Sequence, residues 1–378
     1  MISFSIDDLY HIYITKDLST KELHMKKQKR LYLVLAVFLV FFLGGCSLET
    51  NSTDATNPSN AMKVHYIDTG ESDSILIESE GHYMLIDAGD VDDKDTIVNY
   101  LKEHKVEKLD YLILTHPHAD HIGAASEVVN TFSIGKIIMS PKTNNTKVFE
   151  TLLDTIAKKN LKITKPVVGD SYTIGNAKFT IFAPNSMDYG SNLNNYSIGL
   201  RLVNGDNSFL FIGDSETEAI ADILASRQTL DSDVLLCGHH GSKTSTTADL
   251  LKAVTPTYAV ISVGDNSYGH PSDSTLSLLK KNNIKTYRTD ENGTIIATST
   301  GSKITFSAKA TDLSNANTSD SNKDDATSNK SNVVYITDSG NKYHKSECSY
   351  LKNTKTKTTV EKAKNAGYEP CKICKPAS

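Results

Sequence analysis

Three histidines and one aspartate lie within six residues of the chain, directly after an apolar run at residues 109–114. Imidazole and carboxylate groups bind zinc and similar divalent ions of the first transition row. A tight turn at the end of a strand directs the first two side chains at one ion and the last two at a second ion. The spacing therefore predicts a metal site with the donors His116, His118, Asp120 and His121.

Two further aspartates follow predicted strands. Asp87 comes after the run at residues 83–86, and Asp214 comes after the run at residues 209–212. Either aspartate also fits an ordinary structural position, because Asp is common in polar turns and at helix N-caps. A histidine that binds a metal needs an acceptor for its other ring N–H, and Asp87 is a candidate for that acceptor.

Histidines also occur in two later loops, each of which follows an apolar run. His239 and His240 form a pair, and His270 lies in a Tyr-Gly-His-Pro segment. We predict that His270 binds the second metal. We also predict that one member of the pair lies in or beside the metal site, and we take His240 as that ligand. Another of these histidines is expected to donate a hydrogen bond to the reacting group. Spacing alone does not order the three.

Strands and helices must position these loops, and the surrounding sequence predicts them. Residues 64–67, 74–77 and 83–86 are short alternating or apolar runs, which are typical of strands in a meander. Residues 96–104 have the spacing of an amphipathic helix, and strand and helix patterns then alternate to about residue 300. The pattern predicts a mixed α/β domain whose apolar strands are covered by helices.

Composition excludes several classes of protein. The chain of 378 residues is 38% hydrophobic and 22% charged, as expected of a globular protein. Its formal net charge of -5 excludes a nucleic-acid binder that is basic throughout. No run reaches the roughly 18 apolar residues of a membrane-spanning helix, which excludes a multi-pass membrane protein.

The motifs over about residues 63–307 resemble the metallo-β-lactamase superfamily. The resemblance implies an α/β fold, a four-layered αβ/βα sandwich, and metal-dependent hydrolysis with two divalent ions, Zn or Mn. It also implies that Asp87 supports the metal-binding loop from behind. The implied ligands are His116 and His118 for the first metal, Asp120 and His121 for the second, and Asp214 as a bridge between the two. The predicted catalytic residues are Asp87, Asp120, His239 and His240.

One segment departs from the superfamily pattern. Most members supply a further histidine to the first metal just before the hairpin that ends in the bridging aspartate. Here the segment at residues 192–197 contains three asparagines and no histidine. An amide oxygen is a weaker, neutral ligand, so we expect a first metal that is loosely held or supplemented by water.

The departure narrows the resemblance to one subfamily. Asn-Asn-x-Ser at residues 194–197, Gly-Asp at 213–214, Gly-His-His-Gly-Ser-Lys-Thr-Ser at 238–245 and Tyr-Gly-His-Pro at 268–271 are similar to the hydrolase domain of ComEC-type DNA-uptake proteins. In that family the domain is proposed to degrade the DNA strand that is not imported. The resemblance implies a DNA phosphodiesterase or nuclease that uses a hydroxide activated by two metals. Predicted substrate contacts are Asn195, Ser197, Ser242 and Lys243, although Lys243 also fits a solvated surface lysine.

The C-terminal residues 333–378 contain a second set of metal-binding side chains. His344 and Cys348 are followed, 23 residues after Cys348, by Cys371 and Cys374. Three cysteines and one histidine form a closed tetrahedral zinc site, and the odd number of cysteines disfavours the alternative of a disulfide. The segment resembles the small zinc-binding domain of Ada-type DNA-repair proteins. It carries nine lysines and four acidic residues, and this net charge of +5 fits either a DNA-binding arm or a solvated surface.

The N-terminal sequence predicts export. Basic residues precede the apolar run at residues 31–43, and Gly-Gly-Cys follows it. This order is typical of a secretory signal and resembles the lipobox of bacterial lipoproteins, in which the cysteine is lipidated. We expect a lipid on Cys46 and a position on the extracellular face of the bacterial cell membrane. A plain signal anchor or a short buried helix is the alternative.

Two other functions fit the same residues. One is a metallo-hydrolase of another phosphodiester or of a small ester, and the other is a non-catalytic surface protein that binds DNA. The predicted organisation is a mis-called start at residues 1–24, a lipoprotein signal peptide at 25–46, a linker at 47–62, a hydrolase domain at 63–308, a linker at 309–332 and a zinc-binding module at 333–378.

Overall fold

The computed structural model describes residues 61–314 and 316 in the first of two units, Met1–Thr318 and Ser319–Ser378. The predicted start, the signal peptide and Cys46 lie outside the described residues, as do nearly all of the first linker and most of the second. In the second unit the described residues are 333–336, 342–345, 348, 356–359, 363–364, 368–372 and 374.

Two mixed β-sheets form the centre of the first unit. In chain order the strands are β1 (Met62–Tyr66), β2 (Ile75–Ser79), β3 (His82–Ile86), β4 (Lys108–Leu114), β5 (Ser133–Met139), β6 (Ile163–Thr164), β7 (Ser171–Ile174), β8 (Ala177–Ala183), β9 (Gly199–Asn204), β10 (Asn207–Phe211), β11 (Val234–Leu236), β12 (Tyr258–Ile261), β13 (Lys285–Arg288), β14 (Ile295–Ser299) and β15 (Ile304–Phe306). The first sheet has the order β15-β14-β1-β2-β3-β4-β5-β6, and the second has the order β13-β12-β11-β10-β9-β8-β7.

Helices cover the outer face of each sheet. In chain order they are α1 (Lys94–Glu103), α2 (Ala119–Ile122), α3 (Ala125–Thr131), α4 (Lys147–Lys158), α5 (Thr217–Ala225), α6 (Ala248–Val254), α7 (Asp273–Lys281) and α8 (Thr289–Asn292). Apolar residues of α1 to α4 pack on the first sheet, and apolar residues of α5 to α7 pack on the second.

Alternating side chains explain why the layers form. On β2, Leu76 faces the helices, whereas Ile75 and Ile77 face the second sheet. On β10, Phe209 faces the first sheet, whereas Leu210 faces the outer helices. Each sheet thus buries one face against helices and the other against its partner sheet, and the predicted four-layered αβ/βα sandwich is confirmed.

The elements begin and end close to the predicted positions. The helix expected at residues 96–104 is Lys94–Glu103, and β1 begins at Met62. Beyond the predicted domain end, Thr311 N–H donates to Thr286 O at 2.7 Å, and Leu313 packs on the apolar cluster under α7. Within the described part of the chain, no helix combines the length and the apolar character needed to cross a lipid bilayer.

Parallel pairing brings the functional loops to common edges of the two sheets. In the first sheet β3 pairs parallel with β4, so the residues after both strands lie side by side. In the second sheet β10, β11 and β12 are also parallel neighbours. The loops that follow these strands contain Asp87, His116, Asp214 and His239, which is why they meet although they are distant in sequence.

The second unit is small. Strand β16 (Val333–Ile336) pairs antiparallel with β18 (Thr356–Thr359), and β17 (Lys342–Tyr343) pairs parallel with β19 (Glu369–Pro370). Its described apolar core contains Val334, Tyr343 and Ala363. So few buried residues contribute little stability, and a bound metal is a common substitute for a core of this size.

Candidate metal centre

The loop after β4 is held in place by Asp87. The Asp87 carboxylate accepts hydrogen bonds from Thr115 N at 2.7 Å and from Thr115 Oγ1 at 2.6 Å. It also accepts from His121 Nδ1 at 2.8 Å. Because Nδ1 carries the proton, His121 Nε2 presents a lone pair on the opposite side of the ring. This is the supporting position predicted for Asp87.

Four of the predicted ligands converge on the open side of this loop. Asp120, His121, Asp214 and His240 each offer a ligand atom, and all four atoms lie within 4.8 Å of one another. His121 Nε2 lies 3.3 Å from Asp214 Oδ2, and His240 Nε2 lies 3.4 Å from Asp120 Oδ2. Two imidazoles and two carboxylates at this spacing form the donor set of a zinc-type ion.

His116 also approaches Asp214, and His118 lies beside His116, although neither belongs to the group of four. His116 Nε2 lies 3.8 Å from Asp214 Oδ2 and 3.0 Å from His118 Nδ1. His239 Nε2 lies 3.7 Å from the same oxygen of Asp214. Asp214 Oδ2 therefore lies within 4 Å of the side-chain nitrogens of His116, His121, His239 and His240, a position that is compatible with the predicted bridge.

Several atoms in this cluster are buried without a partner. His121 Nε2, His240 Nε2 and Asp214 Oδ1 make no hydrogen bond to any described residue. An unpaired buried polar atom costs about 1–3 kcal/mol. The arrangement is unfavourable for the protein alone and favourable around a cation, so the residues present fit divalent metal ions.

The electrostatics of the cluster agree with that fit. Burial of Asp214 would raise its pKa, but the imidazoles of His121 and His240 lower this pKa well below its usual range. Burial of His240 would lower its pKa, but Asp120 and Asp214 raise it to about 9. Burial lowers the pKa of His116 well below its usual range. Metal ligands must be deprotonated, so binding of a divalent ion here releases protons.

The loop after β11 needs an unusual backbone to present its histidines. His239 and His240 both have positive φ, at 50° and 54°. Non-glycine residues rarely adopt this region, and when they do the strain is often found at functional sites. Gly238 precedes them, and a Cβ at this position would lie only 2.6 Å from Gly213 O. The glycine lets the two loops touch, which brings the histidine pair beside Asp214.

His270 lines the cleft but is not one of the four residues of the candidate ligand group. Its Nδ1 lies 3.4 Å from Glu71 Oε1, and its ring is stacked at 5.9 Å on Tyr268. Burial lowers the pKa of His270 to about 4. The role of His270 as a metal ligand stays a prediction, whereas His240, in its positive-φ turn, has Nε2 3.4 Å from Asp120 Oδ2.

The asparagine-rich segment supports the site from behind. Asn195 Oδ1 accepts from Glu216 N at 3.0 Å, and Ser197 Oγ accepts from Asp214 N at 3.1 Å. Both side chains are buried, and neither lines the cleft. Both oxygens therefore position backbone N–H groups beside the site, and the substrate contacts expected of Asn195 and Ser197 stay predictions.

Two other predicted substrate contacts also lie outside the cleft lining. Ser242 is buried, and its Oγ lies 2.9 Å from Thr244 Oγ1. Lys243 is exposed and is not part of the lining. Its position matches the solvated surface lysine that was the alternative interpretation.

The cleft has a volume of about 600 Å³ and an acidic wall. Glu71, Asp90 and Asp93 line it beside the ligands, and among its described lining residues there is no Lys or Arg. Asn194 also lines it, with a buried Oδ1 that has no partner among the described residues. Sequence reasoning missed Glu71, whose only signal was its place in the Gly-Glu-Ser-Asp turn after β1, and it did not single out Asn194 within the asparagine-rich segment.

The four predicted zinc ligands of the second unit also converge. His344 Nδ1 lies 3.2 Å from Cys348 Sγ and 4.0 Å from Cys374 Sγ. Cys348 Sγ and Cys371 Sγ are 4.0 Å apart, about twice the length of a disulfide bond. No disulfide therefore links this pair, and the set of four side chains fits a tetrahedral ion.

Comparison with known proteins finds relatives that are similar in sequence. The chain is 29% identical to ComE operon protein 3 of Bacillus subtilis (strain 168) over 256 residues, which are 63% of this chain and 33% of that protein. It is 30% identical to Competence protein ComA of Neisseria gonorrhoeae over 241 residues, 63% of this chain and 32% of that protein. The chain thus spans about a third of the length of these relatives.

Solved structures show weaker likeness. The diiron β-hydroxylase CmlA from Streptomyces venezuelae is 14% identical, with a TM-score of 0.45, over 63% of this chain and 54% of that chain. The metallo-β-lactamase fold protein YhfI from Bacillus subtilis is 15% identical, with a TM-score of 0.42, over 62% of this chain and 99% of that chain.

A family model decides the assignment. The model of the metallo-β-lactamase superfamily matches residues 67–265, which contain Asp87, the loop after β4, Asp214 and the histidine pair. The match covers more than half of the 378 residues. This chain belongs to the metallo-β-lactamase superfamily of metal-dependent hydrolases.

Proposed function

We propose that the chain is a metal-dependent phosphodiesterase that cleaves DNA outside the cell. The observation that carries the proposal is the position of Asp214 Oδ2 between two groups of ligands, with His116 at 3.8 Å and His121 at 3.3 Å. Such an arrangement is what paired cations need for the displacement at a phosphodiester. His116, His118 and Asp214 would hold one ion, and Asp120, His121, His240 and Asp214 would hold the other.

When bound, two divalent ions lower the pKa of water toward ~7 and stabilise charge on phosphoryl oxygens. The protein contributes the orientation of the groups that would hold these ions. Asp87 fixes the ring of His121, and Ser197 fixes the backbone of Asp214. His239 is only partly buried, and Glu216 Oε1 lies 3.1 Å from its Nδ1, so its Nε2 side faces the cleft. Because the Nδ1–H is then directed at Glu216, His239 would donate a hydrogen bond from Nε2 to a substrate oxygen only as an imidazolium.

The cleft wall is acidic, so a polyanionic substrate would bind there only when cations are also bound. Its carboxylates repel phosphate, and its described lining contains no basic side chain other than histidine. Tyr268 is 75% exposed at the rim and stacks on His270. An exposed aromatic ring beside a phosphate-cleaving site is a typical platform for an unpaired base. These features favour single-stranded DNA as the substrate.

The sequence relatives and the segments outside the hydrolase domain support a role in competence at the cell surface. The two relatives reported above are named as a ComE operon protein and a competence protein, which favours a role in competence. We propose a lipid anchor at Cys46 on the extracellular face of the membrane. We also propose that the C-terminal module holds a zinc ion and that the module binds DNA through its net charge of +5.

Cleavage assays on the full chain test the proposal. Labelled single- and double-stranded DNA, incubated with Mn²⁺ or Zn²⁺, should give fragments. Asp214→Asn should slow cleavage by about 100-fold or more. Asp154→Asn, which changes an exposed carboxylate on α4, is the matched control and should cleave like wild type.

The competing functions give different results in the same assays. A metal-loaded chain that hydrolyses a small phosphodiester or an ester, but not DNA, would identify another substrate. A metal-loaded chain that binds DNA and hydrolyses nothing, with Asp214→Asn unchanged in binding, would identify a surface DNA-binding protein. Either result would overturn the nuclease proposal.

A further inference from the structure

A second group of metal-binding side chains lies on the first sheet. His65 is on β1, Glu78 is on the adjacent strand β2, and His104 caps the C-terminal end of α1. Each offers a ligand atom, and the three atoms lie within 4.8 Å of one another. None of the three lines the cleft of the metal centre. The hydrolase mechanism therefore does not explain why they are gathered.

His65 is prepared for a ligand that the described residues do not supply. Its side chain is fully buried, and Nε2 has no hydrogen-bond partner among the described residues. Its other nitrogen, Nδ1, lies 2.8 Å from Tyr100 Oη. When Nδ1–H donates to the phenol oxygen, Nε2 carries the lone pair, and metal-binding histidines are commonly oriented in this way.

Glu78 and His104 complete the group around that lone pair. Glu78 Oε2 lies 3.6 Å from His65 Nε2, which is too long for a hydrogen bond but within the range of an ion pair if His65 is protonated. The rings of His65 and His104 lie edge to face with centroids 4.7 Å apart. Burial lowers the pKa of His104, so its imidazole is neutral near pH 7 and available as a ligand.

The group is accessible and already carries a cation. A cavity of about 330 Å³ lies beside it, and His65, His104 and Lys63 are among its lining residues. The Lys63 ammonium lies 3.2 Å from Glu78 Oε2, with a side chain that is 41% exposed. A long, half-exposed lysine can turn to solvent, so a divalent ion can replace it at the carboxylate.

We propose that His65 Nε2, Glu78 and His104 bind a zinc ion, with water in the fourth position. Two imidazoles and one carboxylate with an open position are a common zinc donor set. The ion would connect β1, β2 and the end of α1, and Lys63 would be its competitor. The site is separate from the hydrolase centre and does not depend on the function proposed for that centre.

Zinc stoichiometry of the full chain tests the site. After equilibrium dialysis with zinc, elemental analysis of His104→Ala and of Glu78→Gln should show one ion per chain fewer than wild type. His82→Ala is the matched control, because His82 is a half-exposed histidine on β3 that pairs with Asp110 outside the group. It should keep the wild-type count. The other metal sites are common to all variants and cancel in the comparison.

A second measurement separates a zinc site from a structural ion pair. Lys63→Met removes the competing ammonium, so half-occupancy of the site should occur at a several-fold lower free zinc concentration. Zinc should also raise the unfolding temperature of wild type more than that of His104→Ala, because the ion binds only the folded state. Equal zinc counts in wild type, His104→Ala and Glu78→Gln, with circular dichroism showing intact folds, would overturn the proposal.

Discussion

The carboxylate of Asp87 lies 2.8 Å from Nδ1 of His121, and both side chains are buried. Through this contact a residue that touches no substrate fixes the tautomer and the direction of a metal ligand. The same carboxylate also accepts from Thr115, so it orders the start of the loop as well as its end. The relationship makes Asp87 a positioning residue.

Asp87→Ala should weaken metal binding. Loss of a group that orients a ligating histidine typically costs roughly 10- to 100-fold in metal affinity. Metal titration with a competing chelator would measure the change. Asp93→Ala is a control, because Asp93 lines the cleft but belongs to none of the candidate metal-binding groups. Equal affinities for wild type and Asp87→Ala would contradict the assigned role.

Ser197→Ala should destabilise the chain, whereas Lys243→Ala should not. Ser197 accepts from the backbone N–H of Asp214 in a fully buried position, and an unsatisfied N–H there costs about 1–3 kcal/mol. Lys243 is exposed, and substitutions of this kind usually change stability by less than about 0.5 kcal/mol. Denaturant unfolding of both variants provides the measurement. A Ser197→Ala variant that is as stable as wild type but binds DNA more weakly would support the substrate contact that the sequence predicted for Ser197.

Tyr268→Ala should weaken binding of single-stranded DNA without altering the chemical step. Stacking of a base on an aromatic ring contributes about 1–3 kcal/mol. This corresponds to a change of roughly 5- to 150-fold in affinity. Met187→Ala, another exposed apolar residue that does not line the cleft, is the control. Hydrolysis of a small phosphodiester should be the same in all three proteins, and a slower rate in Tyr268→Ala would point to a structural defect.

Chelation should expose the thiols of the second unit but not that of Cys237. Burial raises the pKa of Cys237 to about 12, so it holds almost no reactive thiolate. Cys348, Cys371 and Cys374 belong to the candidate zinc group, and a bound ion would protect their sulfurs from alkylation. Alkylation followed by peptide mass spectrometry should label these three after chelator treatment. If all three cysteines were labelled in zinc-loaded protein as fast as in chelator-treated protein, the result would argue against a zinc site.

Much of the metal centre could be predicted because its residues follow apolar strands. Asp87, His116 and Asp214 lie at the ends of parallel strands, where alternation and burial are visible in sequence. That His240 rather than His270 belongs to the group of four could not be predicted, because it involves a positive-φ turn that spacing does not reveal. The group of His65, Glu78 and His104 was missed for a similar reason, since it joins two strands to the end of a helix.

The predicted layers were correct, but the strand order and the exact limits of the domain were not visible in the sequence. The strand order depends on pairing between segments that are far apart in the chain. Only the three-dimensional structure shows that β14 pairs with β1. Asn195 and Ser197 illustrate the same limit at the level of single residues. A polar residue near a site has the same sequence signature whether it faces the cleft or a backbone N–H.

Gly238 and Gly213 touch through backbone atoms alone, and this contact joins the loop of the histidine pair to the loop of Asp214. A side chain at residue 238 would force the two loops apart and would change the distance between Asp214 and the histidine pair. Laboratory evolution toward new substrates should therefore hold both glycines constant. Variation is better directed at the rim, where Asp90 and Tyr268 can change without moving the ligands.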